Sequence, residues 1–389
     1  MSLKTKFIAQ LKKSFPGLNT EQLEGLVAEN LLSPFHVELP KSVLEQAQQI
    51  VSTFFTLREK DSYKSHYRDL AALKGFKDPG NKSIMMSYDF HLDENQQLKL
   101  IEVNTNASFL ALGHEMYKTL ELPLPVSDFT WDEVRSDILN EMKLQGQSVG
   151  TGPMRVAITD EKPSEQRLFA EFLVYNELFK SWGWDSRIVD YREIFNNFDP
   201  QFIYNRYTDF FLSEESSQVL KDKFVSGDVC LSPNPYEYLL LADKQRLIEW
   251  SQPGFLEAHG MTAEQIQILR NAVPVSYDLT TTNADEIWSM RKKLFFKPKN
   301  AYGSKQSYRG HSMSRKAFED LLSSATIAME YVPAPEIPFE TPEGSQNFKY
   351  DLRCYAYQGR LQMVLARLYQ GQVTNLRTPY GGFAGAVFK

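Results

Sequence analysis

"YDFHLDENQQLKLIEVNTN", Tyr88 to Asn106, sets two apolar runs on either side of the polar stretch DENQQ. Short apolar runs bounding a polar break predict a β-hairpin. Alternation along the second run puts Glu102 and Asn104 on one side of the strand, with Ile101 and Val103 on the other. Asp89 precedes Glu102 by thirteen positions with the turn roughly midway, so the two carboxylates fall on adjacent strands and can converge. Two readings stay open here: a solvated polar face, or oxygen ligands of the hard kind that Mg²⁺ takes. An EF-hand is excluded, because no glycine stands sixth from Asp89 and Leu100 occupies the position of the bidentate glutamate.

Outward from the hairpin the period changes. The first eighty residues read as helix: "NTEQLEGLVAENLL" begins at capping residues Asn19 and Thr20, and "KSVLEQAQQIVSTFFTLREKDSYKSHYRDLAALKG" continues to a stop at Gly75. A further helix is expected from about Gly113 to Thr119. From Arg155 strand and helix alternate, "RVAITD", then "SEQRLFAEFLVYNELFKSWG", then "DSRIVDYREI", which predicts a small parallel α/β unit. "LLLADKQRLIEW" opens a helical stretch, "LFFKPKN" is a buried strand, and the last ninety residues read as strands with long loops.

The chain has 389 residues, more than one ordinary core needs, with 42% hydrophobic and 24% charged residues. A net charge of -6 argues against a nucleic-acid binder. Two cysteines, Cys230 and Cys354, support neither a disulfide framework nor CxxC chemistry. The start lacks the apolar core of a signal peptide, and no run approaches the ~20 apolar residues of a membrane span. The expectation is a soluble cytoplasmic protein with no membrane partner.

Four further stretches carry chemistry, each with an ordinary alternative. Lys297-Pro298 ends a strand before a loop with Gly303, Ser304 and Lys305, a way to hold phosphate oxygens or a basic surface loop. Glu330-Tyr331-Val332 ends an apolar strand before prolines, either a hinge whose backbone faces adenine or a plain strand end. Arg353 and Arg367 sit on two strands joined at Gln358-Gly359, where a buried anion or ion pairs with Asp351 or Glu340 would offset their burial. Asn375 and Gly381-Gly382 follow, the glycines allowing close backbone approach to a ligand. Asn205 and Arg206 end a strand of the α/β unit, where open sheets place ligands and where caps and ion pairs also occur.

Taken together these pieces resemble the ATP-grasp ligases, with "DLRCYAYQGRLQMVLARLYQGQVTNLRTPYGG" similar to the glutathione-synthetase stretch D-x-R, A-R, N, G-G and "LADKQRL" similar to the Asp-Lys element (Asp243, Lys244). In the family's usual order Asp and E-x-N come last. Here they precede the rest, which resembles the circularly permuted arrangement of glutathionylspermidine synthetase and its relatives. The resemblance covers about residues 84–119 and 151–389. It implies a permuted ATP-grasp fold of mixed α+β and α/β class. Its parts would be a helical segment at 1–80, the hairpin with core helices at 81–150, a small α/β substrate domain at 151–238 and a nucleotide-binding region at 239–389.

The resemblance also implies a reaction. A carboxylate attacks the γ-phosphorus of ATP, and an amine or thiol displaces phosphate from the acyl phosphate. Glu102 would bridge two Mg²⁺, with Asp89 on one and Asn104 on the other. Lys244, Lys297 and Lys305 would hold phosphates together with Gly303 and Ser304, while Glu330, Tyr331 and Val332 would hold adenine. Arg353, Arg367 and Asn375 would stabilise the transferring group, and Asn205, Arg206, Gly381 and Gly382 would contact substrate. A homo-oligomer is implied as well. The loop after Lys297 departs from the family in being poor in glycine, and leaves two competing classes: a phosphotransferase on the same scaffold, and a non-catalytic nucleotide binder.

Overall fold

The chain reverses after Leu92 because Asp93 satisfies the turn itself. Its carboxylate accepts from the backbone N–H of Asn95 and of Gln97, each at 2.9 Å. The flanking strands pair antiparallel, as the alternation predicts. The computed structural model to which this hairpin belongs describes residues 1–148, 150–299 and 307–389.

Among the described residues fifteen strands form three sheets. The first seven are β1 (Leu32–Leu39), β2 (Met86–Leu92), β3 (Leu98–Asn104), β4 (Arg155–Asp160), β5 (Asp185–Asp190), β6 (Phe202–Asn205) and β7 (Cys230–Ser232). The remaining eight are β8 (Ser276–Leu279), β9 (Leu294–Pro298), β10 (Tyr308–Arg309), β11 (Thr326–Glu330), β12 (Glu336–Thr341), β13 (Gly344–Tyr357), β14 (Arg360–Tyr369) and β15 (Gly382–Phe388). The largest sheet runs β1-β15-β14-β13-β2-β3, and β12 also pairs with β13. β12 and β2 share one edge of β13 end to end, since β12 takes its residues 344–349 and β2 its residues 352–356.

Side-chain alternation divides the apolar residues of β13 between two cores. Leu352, Cys354 and Ala356 join one buried cluster, and Tyr355 and Tyr357 join the other. The β13–β14 turn falls at Gln358 and Gly359, both with positive φ (47° and 76°), the type I′ geometry that matches strand twist. A Cβ on Gly359 would lie 2.9 Å from the Cβ of Phe55. Gly359→Ala is therefore expected to cost about 1–3 kcal/mol, read by chemical denaturation, from left-handed strain and overpacking together.

The second sheet, β10-β9-β11-β8, is antiparallel and encloses its own small core around Phe296 and Phe318. The third, β5-β4-β6-β7, is wholly parallel, with the helix Phe169–Ser181 linking β4 to β5. Parallel and antiparallel sheets thus make a mixed α/β protein. No helix among the described residues is long and apolar enough to cross a membrane.

Three local expectations are corrected. The helical start is interrupted by β1, which pairs in parallel with β15 some 350 positions later. The long helix predicted up to Gly75 breaks into Lys41–Glu59, Asp61–His66 and Arg68–Leu73. The helix expected from Gly113 begins earlier, at Leu110, because its first turn is capped from a distant element.

Candidate functional site

Register brings the charged residues of the large sheet into one row. Asp89 of β2 stands opposite Glu102 of β3 on one side and opposite Arg353 of β13 on the other. Asp351 of β13 stands opposite Arg367 of β14. Residues directly opposite in antiparallel strands share a face, so five charges from four adjacent strands meet.

Asp89 is the hub. Arg353 donates to it twice, from Nε to Oδ1 at 2.9 Å and from Nη2 to Oδ2 at 2.6 Å. Arg367 donates from Nη2 to the same Oδ2 at 2.8 Å, and from Nε to Asp351 Oδ1 at 2.6 Å. Ser87 Oγ and Asn104 Nδ2 donate to Asp89 as well, each at 3.2 Å. Thr374 Oγ1 donates to Asp351 at 2.6 Å. Asp89 is only 1% exposed. Burial alone would raise its pKa, but the two guanidiniums outweigh that and hold the carboxyl down at about 2. Of the ion-pair partners weighed for the arginines, Asp351 takes Arg367, while Glu340 lies on β12 opposite Ser345.

The row opens into a cleft of about 450 Å³, which Lys244 and Lys297 also line. Lys297 is 7% exposed and donates to the carbonyl of Ile101 at 3.0 Å, tying β9 to β3. Burial pushes its ammonium pKa down to about 8, against the pull of the Glu102 charge. At the far wall stand Tyr331 and Val332. His91 Nδ1 lies 2.8 Å from the Val332 carbonyl, and the Tyr331 ring stacks loosely on Phe295 at 6.3 Å. Asn375 lines the cleft too, its amide turned inward on its own loop, donating to Gln370 O at 2.9 Å and accepting from Arg377 N–H at 3.0 Å.

Arg206 forms the opposite wall. Its Nη1 donates to Ala107 O and Tyr204 Oη, both at 3.0 Å, and sits 3.5 Å from Glu171. Glu171 accepts from the N–H groups of Phe109 and Ala111 at 2.8 and 3.1 Å, and so caps the helix Leu110–Thr119, which has no capping side chain of its own. Burial holds Glu171 above the usual carboxylate range, with Arg206 pulling the other way. Asp160 shares this wall, its pKa pushed up to about 6 by burial against the same pull.

Eleven of the residues singled out from sequence therefore line the cleft together. Four do not. Asn205 accepts from Tyr207 N–H within its own turn, and Glu330 is an exposed strand end. Gly381 and Gly382 pack against backbone: a Cβ would meet Leu368 O at 2.6 Å and Asn30 O at 2.5 Å respectively. Gly303, Ser304 and Lys305 lie outside the described residues. Sequence reasoning passed over Asp160, Glu171 and His91. Spacing could have flagged only His91, two positions from Asp89 on the same strand face.

Among the described residues no group of three or more His, Cys, Asp or Glu side chains is placed to hold a metal ion. Asp89 has no acceptor capacity to spare. Glu102 and Asn104 do, since among the described residues Glu102 has one side-chain hydrogen bond, from the Asn104 amide at 3.5 Å, and that amide turns its nitrogen toward the carboxylates. The donor set that fits a hard cation is thus the Glu102 carboxylate and the Asn104 amide oxygen.

No family model matches the chain. Trigger factors of Campylobacter jejuni, among them that of strain 81-176, are 31% identical over 108 residues, 26% of this chain and 23% of theirs. The chain thus spans under a quarter of the length of the curated relatives it matches. A solved glutathione synthetase-like effector of Globodera pallida, in its apo form, is similar over 92% of this chain and 90% of its own, with a TM-score of 0.60 at 12% identity. A putative γ-glutamylcysteine synthetase of Methylobacillus flagellatus aligns over 87% of this chain and 84% of its own at 8% identity and a TM-score of 0.45. The likeness to the effector is one of fold, and the mixed α/β architecture is a glutathione synthetase-like one.

Proposed function

We propose that the cleft binds Mg–ATP and ligates a small carboxylate to an amine or thiol through an acyl phosphate. The observation that carries this reading is the convergence of buried Arg353 and Lys297 and partly buried Arg367 on a cleft that also holds the Glu102–Asn104 oxygens. Phosphoryl transfer needs positioning and charge neutralisation, and needs no nucleophile from the protein. The chain order fits a permuted ATP-grasp ligase: β2 and β3 come early in sequence, and β2 hydrogen-bonds to β13, the strand that bears Arg353.

Glu102 and Asn104 would hold Mg²⁺, which neutralises phosphate charge when bound. Lys297 and Lys244 hold the nucleotide phosphates, with Tyr331 and Val332 at the base. Arg353 and Arg367 face the transferring phosphoryl group and the acyl phosphate. Arg206 supports the wall at residues 106–108 through the Ala107 carbonyl, and Asn106 Nδ2 donates back to Arg206 O at 3.2 Å. That wall bounds the carboxylate substrate.

The test is incubation with Mg–ATP and pooled amino acids, dipeptides, polyamines and thiols. A ligase releases ADP and phosphate only with both co-substrates present. ADP without free phosphate would instead mark a phosphotransferase, and no turnover a binder; either outcome sinks the reading. Lys297→Met is expected to raise the KM for ATP about 10- to 100-fold in steady-state assays, the value of one charge-assisted hydrogen bond.

A further inference from the structure

We propose that Asp89 is a positioning residue for the Arg353–Arg367 pair and not a ligand of the cation; the inference rests on the ligase reading above. The sequence placed Asp89 with Glu102 and Asn104 as metal ligands; the three stand together, and the hydrogen bonds give Asp89 a different duty. Two carboxylate oxygens offer about four lone-pair directions. At Asp89 five donors already occupy them: Arg353 Nε and Nη2, Arg367 Nη2, Ser87 Oγ and Asn104 Nδ2. To reach a cation the carboxylate would have to give up donors in a buried setting, and three of its five are guanidinium N–H groups.

The arginines need Asp89 for a second reason. Two guanidiniums side by side repel, and Arg367 acts against the charge on Arg353. Asp89 bridges them, while Asp351 takes the Nε of Arg367. Two acids against two bases leave the cluster neutral. Each arginine spends its Nε–Nη2 edge on a carboxylate, and its Nη1 has no partner among the described residues. The pair is therefore set at fixed spacing to receive an anion. Glu102, with one side-chain hydrogen bond of 3.5 Å among the described residues, does not share this duty.

The arginine side chains supply a test that does not depend on turnover. In ¹⁵N-arginine-labelled protein, assigned with Arg353→Lys and Arg367→Lys, the Nε–H groups of both arginines exchange slowly. Adding Mg²⁺ with ATP leaves that of Arg353 protected, because Asp89 stays with it. In Asp89→Asn the Arg353 Nε–H exchanges at least tenfold faster, while that of Arg367 keeps its protection through Asp351. Metal dependence separates the roles again: Asp89→Asn needs the same Mn²⁺ concentration for nucleotide binding within about twofold, with kcat reduced, and Glu102→Gln needs at least tenfold more. Loss of Arg353 protection in the wild-type protein on adding Mg–ATP overturns the proposal. So does a Mn²⁺ requirement in Asp89→Asn that matches Glu102→Gln. If the wild-type protein binds no Mg–ATP, the ligase reading fails, and the exchange of Arg353 with and without the Asp89 carboxylate still decides whether Asp89 positions it.

Discussion

Glu102→Gln is expected to lower ATP-dependent turnover by about 10²- to 10³-fold, the order seen when one preorganised electrostatic contact to a developing charge is removed. The fold should not notice. Glu102 is half-buried and has one side-chain hydrogen bond among the described residues, from Asn104 at 3.5 Å, which the amide oxygen of glutamine can also accept. Chemical denaturation should therefore agree with the wild-type protein within about 0.5 kcal/mol. A turnover defect with unchanged stability separates a cation ligand from a structural carboxylate. If Glu102→Gln kept full turnover, the cation assignment would be wrong.

Arg206→Met should have the opposite signature, a loss of stability of about 3–5 kcal/mol, because it strips a fully buried carboxylate of its only ion-pair partner among the described residues. Glu171 would keep the two N–H groups of the helix start, and it would take up a proton to shed its charge. Its folded pKa already lies above the unfolded value, so its carboxyl favours the folded state at low pH and loses that advantage as pH rises through the folded pKa. Removing Arg206 raises that pKa further. The deficit of the variant should consequently be larger at pH 8 than at pH 5 in paired denaturation curves. Equal deficits at both pH values would mean that Glu171 does not carry the effect. Glu171→Gln, which removes the charge and keeps an acceptor, should cost less than Arg206→Met.

What sequence could see here was local. The β2–β3 hairpin, the Gln358-Gly359 turn and β4 follow from alternation and turn chemistry within a dozen residues. β1 was hidden because "LSPFHVEL" contains Pro34 and lies between helices, and its pairing depends on a strand about 350 positions away. The same limit governs the site. Alternation shows that Asp89 and Arg353 are polar residues on apolar strands. That they face each other depends on the register of β13 against β2, across 264 positions. Without its partners, Asp89 is to the sequence only a carboxylate on an apolar strand. Glu171 is harder still, since an acid in the first turn of a helix resembles any solvated residue until the start of another helix is docked on it.

The placement of β15 between β1 and β14 bears on how the protein is made. β15 leaves the ribosome after the other fourteen described strands, yet it is an interior strand of the sheet. Until Gly382–Phe388 emerges, β1 has no strand to pair with and β14 presents an open edge on one side. Such edges template association between chains. The central sheet therefore assembles after translation of its last strand, through contacts far apart in sequence that form slowly. Translation arrested before residue 382 is expected to leave β1 unpaired and β14 with an open edge, which favours association between chains.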